Sequence, residues 1–160
     1  MEIALEPKIN SYVSAQELLD YFAVRLNADT YTDNAKNWKA TILATTLIDQ
    51  LEFIGTPSDI AQPLQWPRSG IVNRNGQAMA NDSIVGKVKD ATCEFAFFLL
   101  RYDITDPVQF RQLYKLSSQT VGSSKNTYKN VAAGKLPDFV MELLNPYLLD
   151  KSKFSTELIA

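Results

Sequence analysis

The chain has 160 residues, 46% hydrophobic and 21% charged, with a net charge of -2. That length and balance predict one globular domain able to bury about 68–70% of its unfolded surface, and a pI near 5.1 argues against a generic nucleic-acid binder, which carries a basic footprint. With no histidine the commonest general base and metal ligand is missing, and the one cysteine, Cys93, excludes an intrachain disulfide.

The opening residues, Met1-Glu2-Ile3-Ala4-Leu5-Glu6, carry acids and no basic segment, so a signal peptide is not expected. Ser14-Ala15-Gln16-Glu17 then forms a capping box, with Val13 and Leu18 placed as a hydrophobic staple. Leu18, Phe22 and Leu26 follow at four-residue steps, so a first helix should end near Asn27. A second helix is expected from Thr32 or Asp33 to Gly55, a C′ glycine. Trp38, Ile42 and Thr45 mark one of its stripes, and Leu43, Leu47, Leu51 and Ile54 mark another. Two stripes predict burial on more than one side.

Residues 56–83 are irregular and rich in Pro, Gly, Asn and Gln, with Asn75-Gly76 as a tight-turn signal for a short hairpin after Ile71-Val72. Within this stretch Pro67 pushes Trp66 toward an extended conformation. Trp66 and Arg68 are expected to fix the loop onto the helices, the other reading being a contact surface.

A third helix is expected from about Ser83 to Tyr102, with Ile84, Val88, Ala91, Phe95, Phe98 and Tyr102 as the strongest apolar stripe in the chain. Cys93 lies in this pattern and reads as a buried, inert thiol. Its uncharged run from Phe95 to Leu100 is far too short to span a bilayer, so a soluble, cytoplasmically made protein with no membrane partner is expected. From Pro107 to Pro137 the chain carries Arg111, Lys115, Lys125, Lys129 and Lys135 without an acid among them. A helical start to about Leu116 should give way to an extended arm. Leu136-Pro137 opens a short last helix with Pro137 at N1. Phe139, Val140, Leu143, Leu144, Tyr147 and Leu148 supply its apolar face. Residues 150–160 form a tail. The predicted fold is thus mainly α: a small bundle of about four helices over 1–149, a minor β or extended arm within 107–137, and an extended C-terminal tail.

The chain carries no phosphate-cradling glycine loop, no metal spacing and no nucleophile elbow. The carboxylate pairs Glu17/Asp20 and Asp103/Asp106 read as capping and turn residues. No catalytic residue, cofactor or metal is expected, and an interaction protein is what remains. The arm is a solvated cationic surface, a nucleic-acid contact or a docking surface for an acidic partner. The tail is a frayed terminus or, through Phe154, Leu158 and Ile159, a set of anchors for a partner.

Gln62-x-Leu64-x-Trp66-Pro67-Arg68-x-Gly70 resembles the central loop of the bacteriophage head–tail connector proteins, also called head-completion or adaptor proteins. Part of that group is also labelled DnaT-like single-stranded DNA-binding. Tyr12-Val13, Glu17, Tyr21-Phe22 and Arg25-Leu26 resemble the family's opening helix. Val88, Ala91, Glu94 and Ala96 resemble its main helix, and Leu136-Pro137 through Pro146-Tyr147 its terminal helix. The likeness spans roughly residues 11–149, and it departs at Ile84-Val85, where relatives often carry Ile-Pro.

The resemblance implies a virion structural protein that forms a ring of about twelve copies through head-to-tail contacts beneath the portal protein. That ring would extend the DNA channel, pass DNA without specific binding and serve as a platform for tail proteins. Tyr147, Phe154, Leu158 and Ile159 would then face the portal or a neighbouring subunit. The competing reading is a single-stranded DNA-binding protein. It rests on Phe110, Tyr114 and Tyr128 interleaved with Arg111, Lys115, Lys125 and Lys129, since stacking plus cations is the recipe for such sites.

Overall fold

The computed structural model describes residues 2–110 and 136–150. The protein is mainly α-helical, with one small two-stranded sheet among the described residues. Helix α1 spans Ala15–Val24, α2 Asn34–Ile48, α3 Gly86–Arg101 and α4 Asp138–Leu144, the last running into a 3-10 turn at Asn145–Tyr147. Strands β1, Thr56–Pro57, and β2, Arg68–Ser69, pair antiparallel with Thr56 opposite Ser69. Residues 107–110 are helical where the first described stretch ends. Among the described residues no helix is long and apolar enough to cross a membrane.

Helix α1 begins as its sequence dictates. The Ser14 hydroxyl accepts from the Glu17 amide at 3.2 Å, and the Glu17 carboxylate accepts from the Ser14 amide at 2.8 Å. Val13 and Leu18 are fully buried beside this box. The helix ends at Val24, three residues before the expected Asn27, whose φ of 65° turns the chain.

The Asp33 carboxylate caps α2 by accepting from the Lys36 amide at 3.1 Å. Its end differs from expectation: the helix stops at Ile48 and not at Gly55. The Gln65 side-chain amide donates to the carbonyls of Asp49 and Leu51, both at 2.6 Å, and the Asp49 carboxylate accepts from the Gln65 amide at 2.8 Å. The loop thus satisfies groups that a longer helix would have used. Its buried face is also smaller and more polar than the predicted stripes. Asn37, Ala40, Thr41, Ala44, Thr45, Leu47 and Ile48 are buried, whereas Trp38, Ile42 and Leu43 are half-buried. Thr41 donates to the Asn37 carbonyl at 2.8 Å, so its hydroxyl enters the core satisfied.

Helix α3 is the centre of the fold and packs against α1, α2 and α4. Val88, Ala91, Phe95 and Leu99 are fully buried. Cys93 is buried, and burial pushes its thiol well above the ordinary range. In the loop before α3, Val72 and Ala78 form an antiparallel bridge, and Gly76 turns the hairpin at φ 76°. Among the described residues the two-stranded sheet and this bridge lie within 56–78, and further isolated bridges join Pro7 to Ser11 and Phe53 to Leu148. The extended arm expected after Leu116 lies outside the described residues.

Candidate functional site

The Trp66 segment is built into the core. Trp66 is fully buried, in edge contact with Phe53 at 5.5 Å and Tyr147 at 5.9 Å between ring centroids. The Trp66-Pro67 peptide is cis. Arg68 is buried too, and its guanidinium donates to the carbonyls of Ile54 at 2.8 Å, Phe53 at 3.2 Å and Gly55 at 2.8 Å. Burial lowers its pKa from the ordinary arginine value. Tyr12 donates its hydroxyl to Asp49 beside this knot, and desolvation with that bond raises its pKa.

Tyr147, read from the sequence as an interface residue, packs on Trp66 and accepts from the Ile54 amide at 2.9 Å through its carbonyl. Phe110, read as a stacking residue of the arm, is buried against Phe95 at 5.3 Å. Its ring belongs to the core, because residues 107–110 bring it back onto α3. Arg111, Tyr114, Lys115, Lys125, Tyr128 and Lys129, and the tail residues Phe154, Leu158 and Ile159, lie outside the described residues.

Exposed aromatic surface gathers elsewhere, in a cleft of about 610 Å³ between α1, the C-terminal half of α3 and α4. Tyr102 is 55% exposed and Phe139 38%. Phe98 joins them, its ring centroid 4.8 Å from Tyr102 and 5.8 Å from Phe139. The Arg101 guanidinium lies 5.8 Å from the Tyr102 ring. The far wall is an ion pair. Arg25 Nε donates to Glu94 Oε1 at 2.7 Å and Nη2 to Oε2 at 3.2 Å, with the guanidinium 4.4 Å from the Phe97 ring. Tyr21 donates its hydroxyl to the same Glu94 at 2.8 Å. Desolvation with that bond raises the Tyr21 pKa, and the Glu94 hydrogen bond raises that of Arg25.

The cleft offers flat π faces edged by cations, suited to planar ring systems carrying negative charge. Periodicity hid it. Phe98 and Tyr102 continue the core stripe of α3, and Phe139 falls on the apolar face of α4. The sequence signal that marks them is local: Arg101 beside Tyr102 at a helix end.

The model of the family described as "Putative DnaT-like ssDNA binding protein" matches residues 4–159. No curated protein and no solved structure matches the chain. The family match corrects the connector reading, because the family matched is not a head–tail adaptor family. The expectations of a head–tail structural role, a ring of twelve, portal and tail-protein partners, and DNA passing unbound fall with it. The structure explains why the resemblance misled. Among the residues that carried it, Trp66 is buried between Phe53 and Tyr147, and Arg68 is buried and bonded to backbone carbonyls of its own chain. Matched along nearly its whole length, the chain belongs to this DnaT-like family.

Proposed function

We propose that the protein binds single-stranded DNA, with unpaired bases stacking in the Phe98–Tyr102–Phe139 cleft and Arg101 beside the strand. The observation that carries this reading is the pairing of two exposed aromatic rings with an arginine at the end of α3. The family description, which names single-stranded DNA, supports it. Every base has a π face, so stacking is tolerant of sequence and needs no hydrogen-bond code. It also reconciles the function with an acidic chain: stacking is less sensitive to salt than phosphate neutralisation. The role is one of binding, without a catalytic step.

The test is fluorescence anisotropy of a labelled oligothymidylate at physiological salt. Wild type should bind. Tyr102→Ala and Phe139→Ala should each lose about 1–3 kcal/mol, or roughly 5–150-fold in affinity, with helical circular dichroism unchanged. Equal affinity in both variants, or no binding by wild type, would overturn the reading.

A further inference from the structure

A second cleft, of about 570 Å³, adjoins the first. The two share Glu142 and Leu143 of α4, so they run on from one another across the same helix. The second is lined by the 72–75 end of the hairpin, by Lys87 in the first turn of α3, and by Pro146 and Tyr147. Its character is different. Beside the half-buried Tyr147 it presents two cations, Arg74 and Lys87, both exposed, with Lys87 3.9 Å from Asp90.

The charges of the joined surface stand out on this chain. Across both clefts the lining residues carry four cations, Arg25, Arg74, Lys87 and Arg101, against two carboxylates, Glu94 and Glu142. Arg25 and Glu94 already hold each other, which leaves Arg74, Lys87 and Arg101 against Glu142. The chain as a whole has the opposite balance, with a net charge of -2. A cationic track on an acidic protein draws a polyanion to one place and repels it elsewhere. The aromatic end lacks what a nucleic acid also needs, a lane for its backbone, and the Arg74/Lys87 end supplies one.

We propose that the two clefts form one track, in which Arg74 and Lys87 take the phosphodiester backbone of the same strand whose bases stack on Tyr102 and Phe139. The inference rests on the single-stranded DNA reading and adds the direction of the strand across α4 and the residues that hold its phosphates. Glu142, on the lip the clefts share, is the opposing charge that the strand must pass.

The experiment is anisotropy of labelled oligothymidylates of increasing length, titrated over a range of salt with the full-length protein. Each phosphate neutralised on a single strand contributes about 0.7 to the slope of log K against log salt. The double variant Arg74→Gln/Lys87→Gln should lower that slope by about 1.4 and abolish the affinity gained on lengthening the oligonucleotide, while short oligonucleotides still bind. A control pair outside the track, Lys36→Gln/Lys39→Gln, should leave slope and length dependence as in wild type. Glu142→Gln should tighten binding, an effect that loss of folding does not mimic. The proposal is overturned if the Arg74/Lys87 variant keeps the wild-type slope, if the control pair lowers it equally, or if Glu142→Gln fails to tighten binding. In each of these cases Tyr102→Ala still reports on the stacking site, so the single-stranded DNA reading survives on its own evidence. Absence of binding by wild type overturns both.

Discussion

Arg68 and Gly55 meet across the base of the central loop, with the guanidinium Nη2 2.8 Å from the glycine carbonyl. The same group reaches the carbonyls of Phe53 and Ile54, so one side chain closes three successive acceptors. A lysine ammonium offers three donors from a single point and does not reproduce the planar fork. Arg68→Lys should therefore destabilise the protein by about 2–3 kcal/mol, since a buried acceptor left unsatisfied costs about 1–3 kcal/mol. Urea unfolding of the variant measures this. A midpoint equal to wild type would mean that water replaces the guanidinium at no cost.

Trp66 sits between Phe53 and Tyr147, and its burial is complete. Trp66→Ala should cost about 3–5 kcal/mol, the range for truncating a buried large aromatic. Trp66→Phe should cost clearly less. Among the described residues the indole N–H has no acceptor, so phenylalanine gives up volume and no hydrogen bond. The two midpoints, compared in one denaturant series, separate packing from polar loss. A Trp66→Ala protein of full stability that has lost only a binding partner would make the loop a contact surface.

How far the sequence carried can be seen at particular residues. The start of α1 was legible because Ser14 and Glu17 bond each other locally, and a local motif needs no tertiary knowledge. The register of α3 was legible through Val88, Ala91 and Phe95, all of which are buried. The end of α2 was not, because Gln65, a distant residue in sequence, terminates it. Its buried face was hidden for a different reason. Asn37 and Thr41 read as polar, yet Thr41 satisfies its hydroxyl on its own helix and so packs like a small apolar residue. The aromatic cleft was invisible because a 3.6-residue period does not reveal where the core stops covering a stripe. Tyr102 follows the same spacing as Phe95 and stands at the open end of it.

The start of α1 sets an acid limit on stability. Burial alone would raise the Glu17 pKa, but hydrogen bonds from Lys89 and Ser14 outweigh it and hold the carboxyl below the ordinary glutamate value. A pKa depressed by folding stabilises the native state fully above the unfolded value of about 4.5 and is lost as pH falls through the folded one. Stability measured from pH 6 downward should therefore decline below about 4.5, and Glu17→Gln should flatten that part of the curve. Ser14→Ala should cost about 1 kcal/mol even at neutral pH, through the lost cap. If Glu17→Gln shows the same acid slope as wild type, the carboxylates that set it lie elsewhere.

Glu94 links the fold to the cleft. Its carboxylate accepts from Arg25 at 2.7 and 3.2 Å and from Tyr21 at 2.8 Å, and it is mostly shielded from solvent. Glu94→Gln keeps the shape of the side chain and removes its charge. Two consequences of opposite sign follow. Stability should fall by about 1.5–3 kcal/mol, the range for hydrogen bonds to a charged group. Affinity for an oligothymidylate should rise, because Arg25 is released from its counter-ion at the rim of the surface proposed to hold the strand. The salt slope should steepen by about 0.7 if the freed guanidinium takes one phosphate. Denaturation and anisotropy on the same variant read the two effects separately. A destabilised variant with unchanged affinity and slope would confine Arg25 to a structural role and leave Arg101 as the cation that serves the stacked bases.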